Sequence, residues 1–321
     1  MNSLPTVTVL IPARPEQVDI KAVTAAKHLD YPADKIEILV ARGKQPSVQR
    51  NTALKQASGH LVYFLDDDSV PERGNLKTAV QRFTDSSVKM LGGPNLCPPD
   101  APALEQMFAL VLSSLLAFGP SRARYTRVGV LRETSEKELI LCNLIARRDA
   151  MVQLGGFDEK LYPNEENALM DALQKSGGKL LYDPTFTVYR RPRPTFKAFV
   201  KMLKTYGRGR AEQFRVNPTF GSALNFAPPL FCVYLLATVA LLKLNPLLGK
   251  FFLGPLVFYA AAVIAQGIAL MRRGKIVGVL GAIPLIVLTH IIYGYGFWRG
   301  LFTPLPPSGT KPKTEVVIER L

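Results

Sequence analysis

Between Glu212 and Glu315 this 321-residue chain has no Asp or Glu at all. Three apolar stretches lie in that gap, at 226–242, 251–271 and 276–298, each close to the ~20 residues that a membrane-spanning helix needs. One such stretch could be a buried core helix. Three in succession, separated only by short links, predict an integral membrane protein. Cysteine is scarce as well. Cys97, Cys142 and Cys232 stand far apart, a spacing that does not suit a thiolate metal cage and does suit a reducing compartment. The three histidines, His28, His60 and His290, are dispersed too. His290 lies in an apolar stretch, where either an intramembrane function or a hydrogen bond to a neighbouring helix would account for it. No charged-then-apolar leader opens the chain, because Pro5 and Pro12 bracket a short β-rich run there. Internal repeats and low-complexity segments are missing.

What the chain has in excess is positive charge, formally +15. Its placement says more than its size. Arg190, Arg191, Arg193, Lys197, Lys201, Lys204, Arg208, Arg210 and Arg215 crowd before the first apolar stretch, with Glu212 the single acid among them. This is a positive-inside pattern, whose natural partner is a lipid bilayer with anionic headgroups. No aromatic platforms interleave with these cations, so nucleic acid is not an expected partner. The pattern places the N-terminal two thirds in the cytoplasm and predicts a multi-pass protein of the inner, cytoplasmic membrane. Arg272, Arg273 and Lys275 fall on the same side; three spans then put the tail after Trp298 outside, whereas Arg299, Lys311 and Lys313 disfavour export and one stretch could instead be re-entrant or interfacial.

The first two hundred residues alternate strand and helix. β-rich runs at 6–11, 36–41 and 61–65 are followed by helical patterns at 20–29, 47–57 and 76–83, the second with Ser47 as its cap and Gly59 past its end. Such spacing predicts βαβ units and a mostly parallel sheet. The expected division is an α/β domain over 1–215, about three membrane helices over 216–303, and a poorly ordered, proline-containing tail over 304–321.

Two acidic centres stand out. Asp66-Asp67-Asp68 follows the buried run 61–65 and precedes a turn at Ser69-Val70-Pro71. Ligands of open α/β sheets bind beyond the carboxyl ends of the strands. Three adjacent carboxylates repel one another unless a cation or hydrogen-bond donors stabilise them. No Lys or Arg stands within three positions of Asp68, and oxygen-only ligands favour a hard ion, Mg²⁺ or Mn²⁺, that shares a diphosphate. An acidic turn capping the next helix is the plainer alternative. Glu165-Glu166 open a helix after Tyr162-Pro163-Asn164; they could complement its macrodipole, or one of them could be a general base.

Six segments, in order, resemble one family. Ile11-Pro12-Ala13-Arg14, Asp66-x-Asp68-x-x-Pro71, Gly155-Gly156-Phe157-Asp158-Glu159, Asn164-Glu165-Glu166, Tyr182-Asp183-Pro184 and Tyr206-Gly207-Arg208-Gly209-Arg210 look like the motifs of family-2 glycosyltransferases with the GT-A fold. The membrane-bound bacterial enzymes of exopolysaccharide and lipid-linked glycan synthesis are the most similar subgroup. The resemblance implies a Rossmann-like nucleotide-sugar-binding domain followed by a small transmembrane helical region. It further implies inverting, metal-dependent transfer from a nucleotide-diphosphate sugar, taken as a UDP-sugar, to a hydroxyl of a lipid-linked or membrane glycan acceptor. Under it Asp68 and Asp66 hold the metal, and Pro12, Arg14, Arg50, Asp66, Asp67, Arg208 and Arg210 meet the nucleotide sugar. Glu166 is the base with Glu165 beside it, and Asn95 and Asn143, at predicted strand ends, are sugar or acceptor contacts. Arg208 and Arg210 also fit a basic membrane-facing patch.

The chain departs from the family twice. Relatives carry an acidic turn after the second strand, where an Asp reads uracil; here Arg42-Gly43-Lys44-Gln45-Pro46-Ser47 stands, and Gln49-Arg50-Asn51 begin the helix. Basic residues at a helix N-terminus suit phosphate instead. Glu166 replaces the usual Asp, which moves the carboxylate by about one bond length. Two rivals share the resemblance: a polyprenyl-phosphate sugar synthase, whose lipid-phosphate acceptor needs no base, and a catalytically silent membrane scaffold. Three short membrane helices leave little room for a polymer channel, so single addition is expected.

Overall fold

A computed structural model describes residues 4–159, 165–216, 218, 220–304 and 315–321. They form two compact units: Met1–Pro98 with Pro120–Arg191 and Pro306–Leu321, and Pro99–Gly119 with Pro192–Leu305.

The first unit is built on strands β1 (Val7–Ala13), β2 (Ile36–Arg42), β3 (Leu61–Leu65), β4 (Val70–Pro71), β5 (Val88–Gly92), β6 (Asn95–Leu96), β7 (Arg132–Glu133), β8 (Asn143–Arg147), β9 (Lys179–Tyr182), β10 (Val188–Tyr189) and β11 (Val317–Arg320). Eight of them make one sheet in the order β11-β2-β1-β3-β8-β5-β9-β7, and β4-β10-β6 make a second. β2, β1 and β3 are parallel, as the βαβ spacing predicts, and β5–β9 is a second parallel pair. β8 enters between these blocks antiparallel to both neighbours, so the whole sheet is mixed. In β3, Leu61, Tyr63 and Leu65 join one apolar layer while Val62 and Phe64 join the other, which is why its five residues are all buried.

Three expectations need correction. β1 does not stop at Pro12 but continues to Ala13 in register with β2. Its ladder to β3 ends at Leu10, so Pro12 sits where β1 has a single neighbour, the edge-like place that proline tolerates. Ser47 is no cap: the helix Pro46–Gln56 starts one residue earlier with Pro46 in its first turn, where a fixed φ is already helical, and Ser47 is buried inside. The tail is not disordered throughout. Val317–Arg320 pair antiparallel with Leu39–Arg42 on the free edge of β2, and Arg42 Nε meets Glu319 Oε1 at 2.6 Å. Residues 305–314 of the expected tail lie outside the described residues.

In the second unit three helices, Ala223–Leu244, Pro246–Leu270 and Ile276–Phe302, are long and apolar enough to cross a membrane. The helix Phe196–Val216 falls within the same compact unit as these three. Glycine explains the association. A Cβ at Gly207 would strike the Tyr293 carbonyl, one at Gly296 the Lys204 carbonyl and one at Gly300 the Arg208 carbonyl, so the two backbones touch along a small-residue seam. His290 is accounted for by its neighbours: Nδ1 lies 2.7 Å from the Tyr259 hydroxyl and Nε2 2.9 Å from the Leu116 carbonyl.

Candidate active site

The helix Pro46–Gln56 is unusual in burying its polar side. Ser47, Gln49, Arg50 and Asn51 are all buried, and the last three reach the strand ends or beyond. Gln49 Nε2 donates to the carbonyls of Ala13 (2.8 Å) and Ala41 (2.6 Å), clasping the ends of β1 and β2. Asn51 grips the Gly155–Glu159 loop: Nδ2 donates to the Phe157 carbonyl (2.8 Å) and to Glu159 Oε1 (2.9 Å), and Oδ1 accepts from Phe157 N–H (2.8 Å). Gly156 is needed beneath this clasp, because its φ is +78° and a Cβ would come within 2.5 Å of Asn51 Oδ1. Phe157 then packs edge-on against Phe64 of β3 at 5.4 Å.

Arg50 joins the two acidic centres. Its Nη2 lies 3.2 Å from Asp66 Oδ1 and its Nη1 3.2 Å from Glu165 Oε1. Glu165 begins the helix Glu165–Lys175 and is 2 % exposed, with Oε2 lacking a hydrogen-bond partner among the described residues. Burial, then the neighbouring charge of Glu166, push the Glu165 carboxyl up to about 7 against the pull of Arg50. Glu166 is only half-buried.

The second sheet brings a further cation. β10 is antiparallel to β4 with Tyr189 opposite Val70, so the next residue, Arg190, arrives beside the acidic triplet. Its Nε donates to Asp68 Oδ1 at 2.5 Å and its Nη1 lies 3.1 Å from Asp66 Oδ2. The Tyr182-Asp183-Pro184 motif prepares this arrival. Asp183 Oδ1 accepts from the backbone and hydroxyl of Thr185, and Oδ2 pairs with Arg82 Nε at 3.0 Å, which fixes the turn into β10.

Asp66, Asp68, Arg50 and Glu165 are therefore brought together, and Arg190, which the sequence pattern had assigned to the membrane-side cations, joins them. Its position at the end of a β-rich run, like that of Asp66, was the available signal. Asp67 is half-buried beside them and its carbonyl accepts from Ala22 N–H. Pro12 and Arg14 lie at the end of β1 and just beyond it. Asn143 is wholly buried, accepts from the Tyr63 hydroxyl and donates to the Phe186 carbonyl, so its amide is engaged within the core. Asn95 remains a candidate, since its amide oxygen is buried without a partner among the described residues. Arg208 and Arg210 belong to the second unit, where they pair with Glu212 and Gln213. Tyr162-Pro163-Asn164 lie outside the described residues.

The donor set suits a hard divalent ion. Asp66 and Asp68 offer carboxylate oxygens at one strand end, and the Asp68 side chain is 45 % exposed. No three His, Cys, Asp or Glu among the described residues form a complete cage, so such an ion would take its other ligands from water or a diphosphate.

Comparison with known proteins agrees with this layout. Residues 2–205 match the model of glycosyltransferase-like family 2. The chain is 27% identical over 166 residues to a pre-mycofactocin glycosyltransferase of Mycobacterium tuberculosis, covering 51% of this chain and 34% of that protein. It is 30% identical over 199 residues to the succinoglycan biosynthesis protein ExoA of Rhizobium meliloti, covering 60% of this chain and 55% of that one. The chain thus spans only a third to about half of the length of these curated relatives. Among solved structures, the mannosyltransferase PcManGT of Pyrobaculum calidifontis, in complex with GDP-Man and Mn²⁺, superposes with a TM-score of 0.52 at 17% identity, over 94% of this chain and 88% of that one. With more than half its length matched by the family model and its first unit built as a GT-A sheet, the chain belongs to glycosyltransferase family 2.

Proposed function

We propose that the protein is an inverting glycosyltransferase that moves a sugar from a nucleotide-diphosphate donor to a hydroxyl of a membrane-associated glycan or glycolipid. The observation that carries this reading is the Arg50 bridge. One guanidinium ties Asp66, at the ligand end of β3, to Glu165, at the start of the next acidic helix, so both acidic centres are held in fixed register. Asp66 and Asp68 would hold Mg²⁺ or Mn²⁺, which when bound supplies positive charge to the leaving diphosphate. Glu166, half-buried and next in the chain, takes the proton of the acceptor hydroxyl as that oxygen attacks the anomeric carbon. Glu165 is too buried to touch an acceptor and acts by position, anchoring the helix start to Arg50. The mannosyltransferase of the same fold carries GDP-Man and Mn²⁺, which supports a nucleotide sugar with a divalent ion as the donor pair. ExoA supports exopolysaccharide synthesis as the setting.

The site lies on the cytoplasmic side of the inner membrane in this reading, supported by the cations before the first apolar helix. The pairing of β11 with β2, after the chain has passed through all three apolar helices, supports an even number of full crossings between Arg191 and Val317. Membranes carrying the protein, incubated with Mn²⁺ and a panel of labelled nucleotide sugars, should deliver one sugar into the lipid extract, and Asp68→Ala should abolish it. No transfer from any donor would sink the reading.

A further inference from the structure

Asp68 has no cation nearby in sequence, yet the fold supplies one from 122 residues away. Arg190 Nε and Nη1 engage Asp68 Oδ1 and Asp66 Oδ2, the two carboxylates that would hold a divalent ion, while Arg50 takes Asp66 Oδ1. The backbone around Arg190 is fixed: its N–H donates to the Leu96 carbonyl at 3.0 Å. Burial by itself opposes a charge there; the Asp66 and Asp68 carboxylates outweigh it.

At 2.5 Å, Asp68 Oδ1 and Arg190 Nε are already at the short limit of a charge-assisted hydrogen bond, and no ion fits between them. A divalent ion can reach these oxygens only after the guanidinium has moved. A guanidinium fork matches two phosphate oxygens as well as two carboxylates, so the displaced group gains an equivalent partner when a diphosphate is present. We propose that Arg190 is the resident counter-cation of this site, holding Asp66 and Asp68 in the resting protein and turning to the donor's diphosphate once a divalent ion and the donor are both bound. The turn toward a donor rests on the transferase reading; the competition for the carboxylates follows from the ion pairs alone. Metal alone then binds weakly, and metal with diphosphate binds strongly, because each relieves the cost of the other.

Calorimetry of Mn²⁺ binding to the full chain in detergent, alone and with inorganic pyrophosphate, tests this. Arg190→Gln should bind Mn²⁺ alone about tenfold more tightly than the natural protein, and bind pyrophosphate at saturating Mn²⁺ about tenfold more weakly. Arg190→Lys keeps the charge without the fork, should fall between the two, and serves if the glutamine variant does not fold. Unchanged or weaker Mn²⁺ binding in the variants overturns the assignment, as does the absence of Mn²⁺ binding from all three proteins. Competition that persists in a protein unable to transfer sugar from any donor would uphold the Arg190 assignment and remove the transferase reading instead.

Discussion

Glu165 and Glu166 are neighbours in the chain with opposite surroundings, one sealed against Arg50 and the other half-buried. That contrast separates their roles experimentally. Glu166→Gln should cut transfer by roughly 10²–10⁴-fold with Mn²⁺-dependent nucleotide binding unchanged, the usual worth of general-base help. Glu165→Gln should cost about tenfold or less, through a loosened helix start. Transfer that survives Glu166→Gln intact would instead favour a lipid-phosphate acceptor, which needs no base. Glu165 also writes a pH signature into stability. The unfolded chain loses this proton near the ordinary 4.5 and the folded protein near 7, so between those values the folded state keeps a proton that the unfolded state has released. Stability from this group therefore falls as pH rises through that window and levels off above it. Melting curves from pH 4 to 8 should show the natural protein losing stability relative to Glu165→Gln across the window; parallel curves would refute the lift. At this scale Asp66 and Asp68 were legible in sequence, since a buried strand announces what stands at its end. Arg190 was not, because cations that serve a membrane face and a cation that serves carboxylates look alike until the fold brings a partner from the acidic triplet.

Elements were legible where one physical signal dominated. The five apolar residues of β3 read as a buried strand and are one. The helix Pro46–Gln56 was found as a helix but not as the wall of the site, because its buried side is polar and apolar periodicity has nothing to report there. β11 escaped for a different reason: a four-residue strand becomes stable only against the open edge of β2, which sequence reading does not see. The polar helix yields its own prediction. Asn51 satisfies both the N–H and the carbonyl of Phe157, so Asn51→Ala leaves two buried backbone groups unpaired and should cost about 2–4 kcal/mol. Chemical denaturation should show that loss. Asn51→Asp sets a carboxylate oxygen against the Phe157 carbonyl and the Glu159 carboxylate and should cost at least as much; a neutral Asn51→Ala would mean the loop is held by other contacts.

For the whole molecule, the pairing of β11 with β2 favours an even number of crossings over the odd number that three apolar stretches first suggest. Two independent constraints now act on the second unit. The cations Arg272, Arg273 and Lys275 favour the cytoplasmic side for the link between the second and third apolar helices. The strand pairing returns the chain to that side after the third. If both constraints hold, we predict that the helix Ile276–Phe302 begins and ends on one face, leaving the first two as a hairpin through the bilayer. Arg215 Nη1 donates to the Gly300 carbonyl (3.0 Å) and the Thr303 carbonyl (2.6 Å), tying the end of this helix to the basic helix. Single cysteines in a variant lacking Cys97, Cys142 and Cys232 read this topology directly. With a membrane-impermeant thiol reagent on intact cells, Leu247→Cys should label from outside, while Arg272→Cys and Leu321→Cys should label only after the membrane is opened. Outside labelling of Leu321→Cys would separate β11 from β2 and undo the parity argument. Outside labelling of Arg272→Cys with an inside Leu321→Cys would keep two crossings but make the third helix one of them, so that the second helix is the one that stays at the surface.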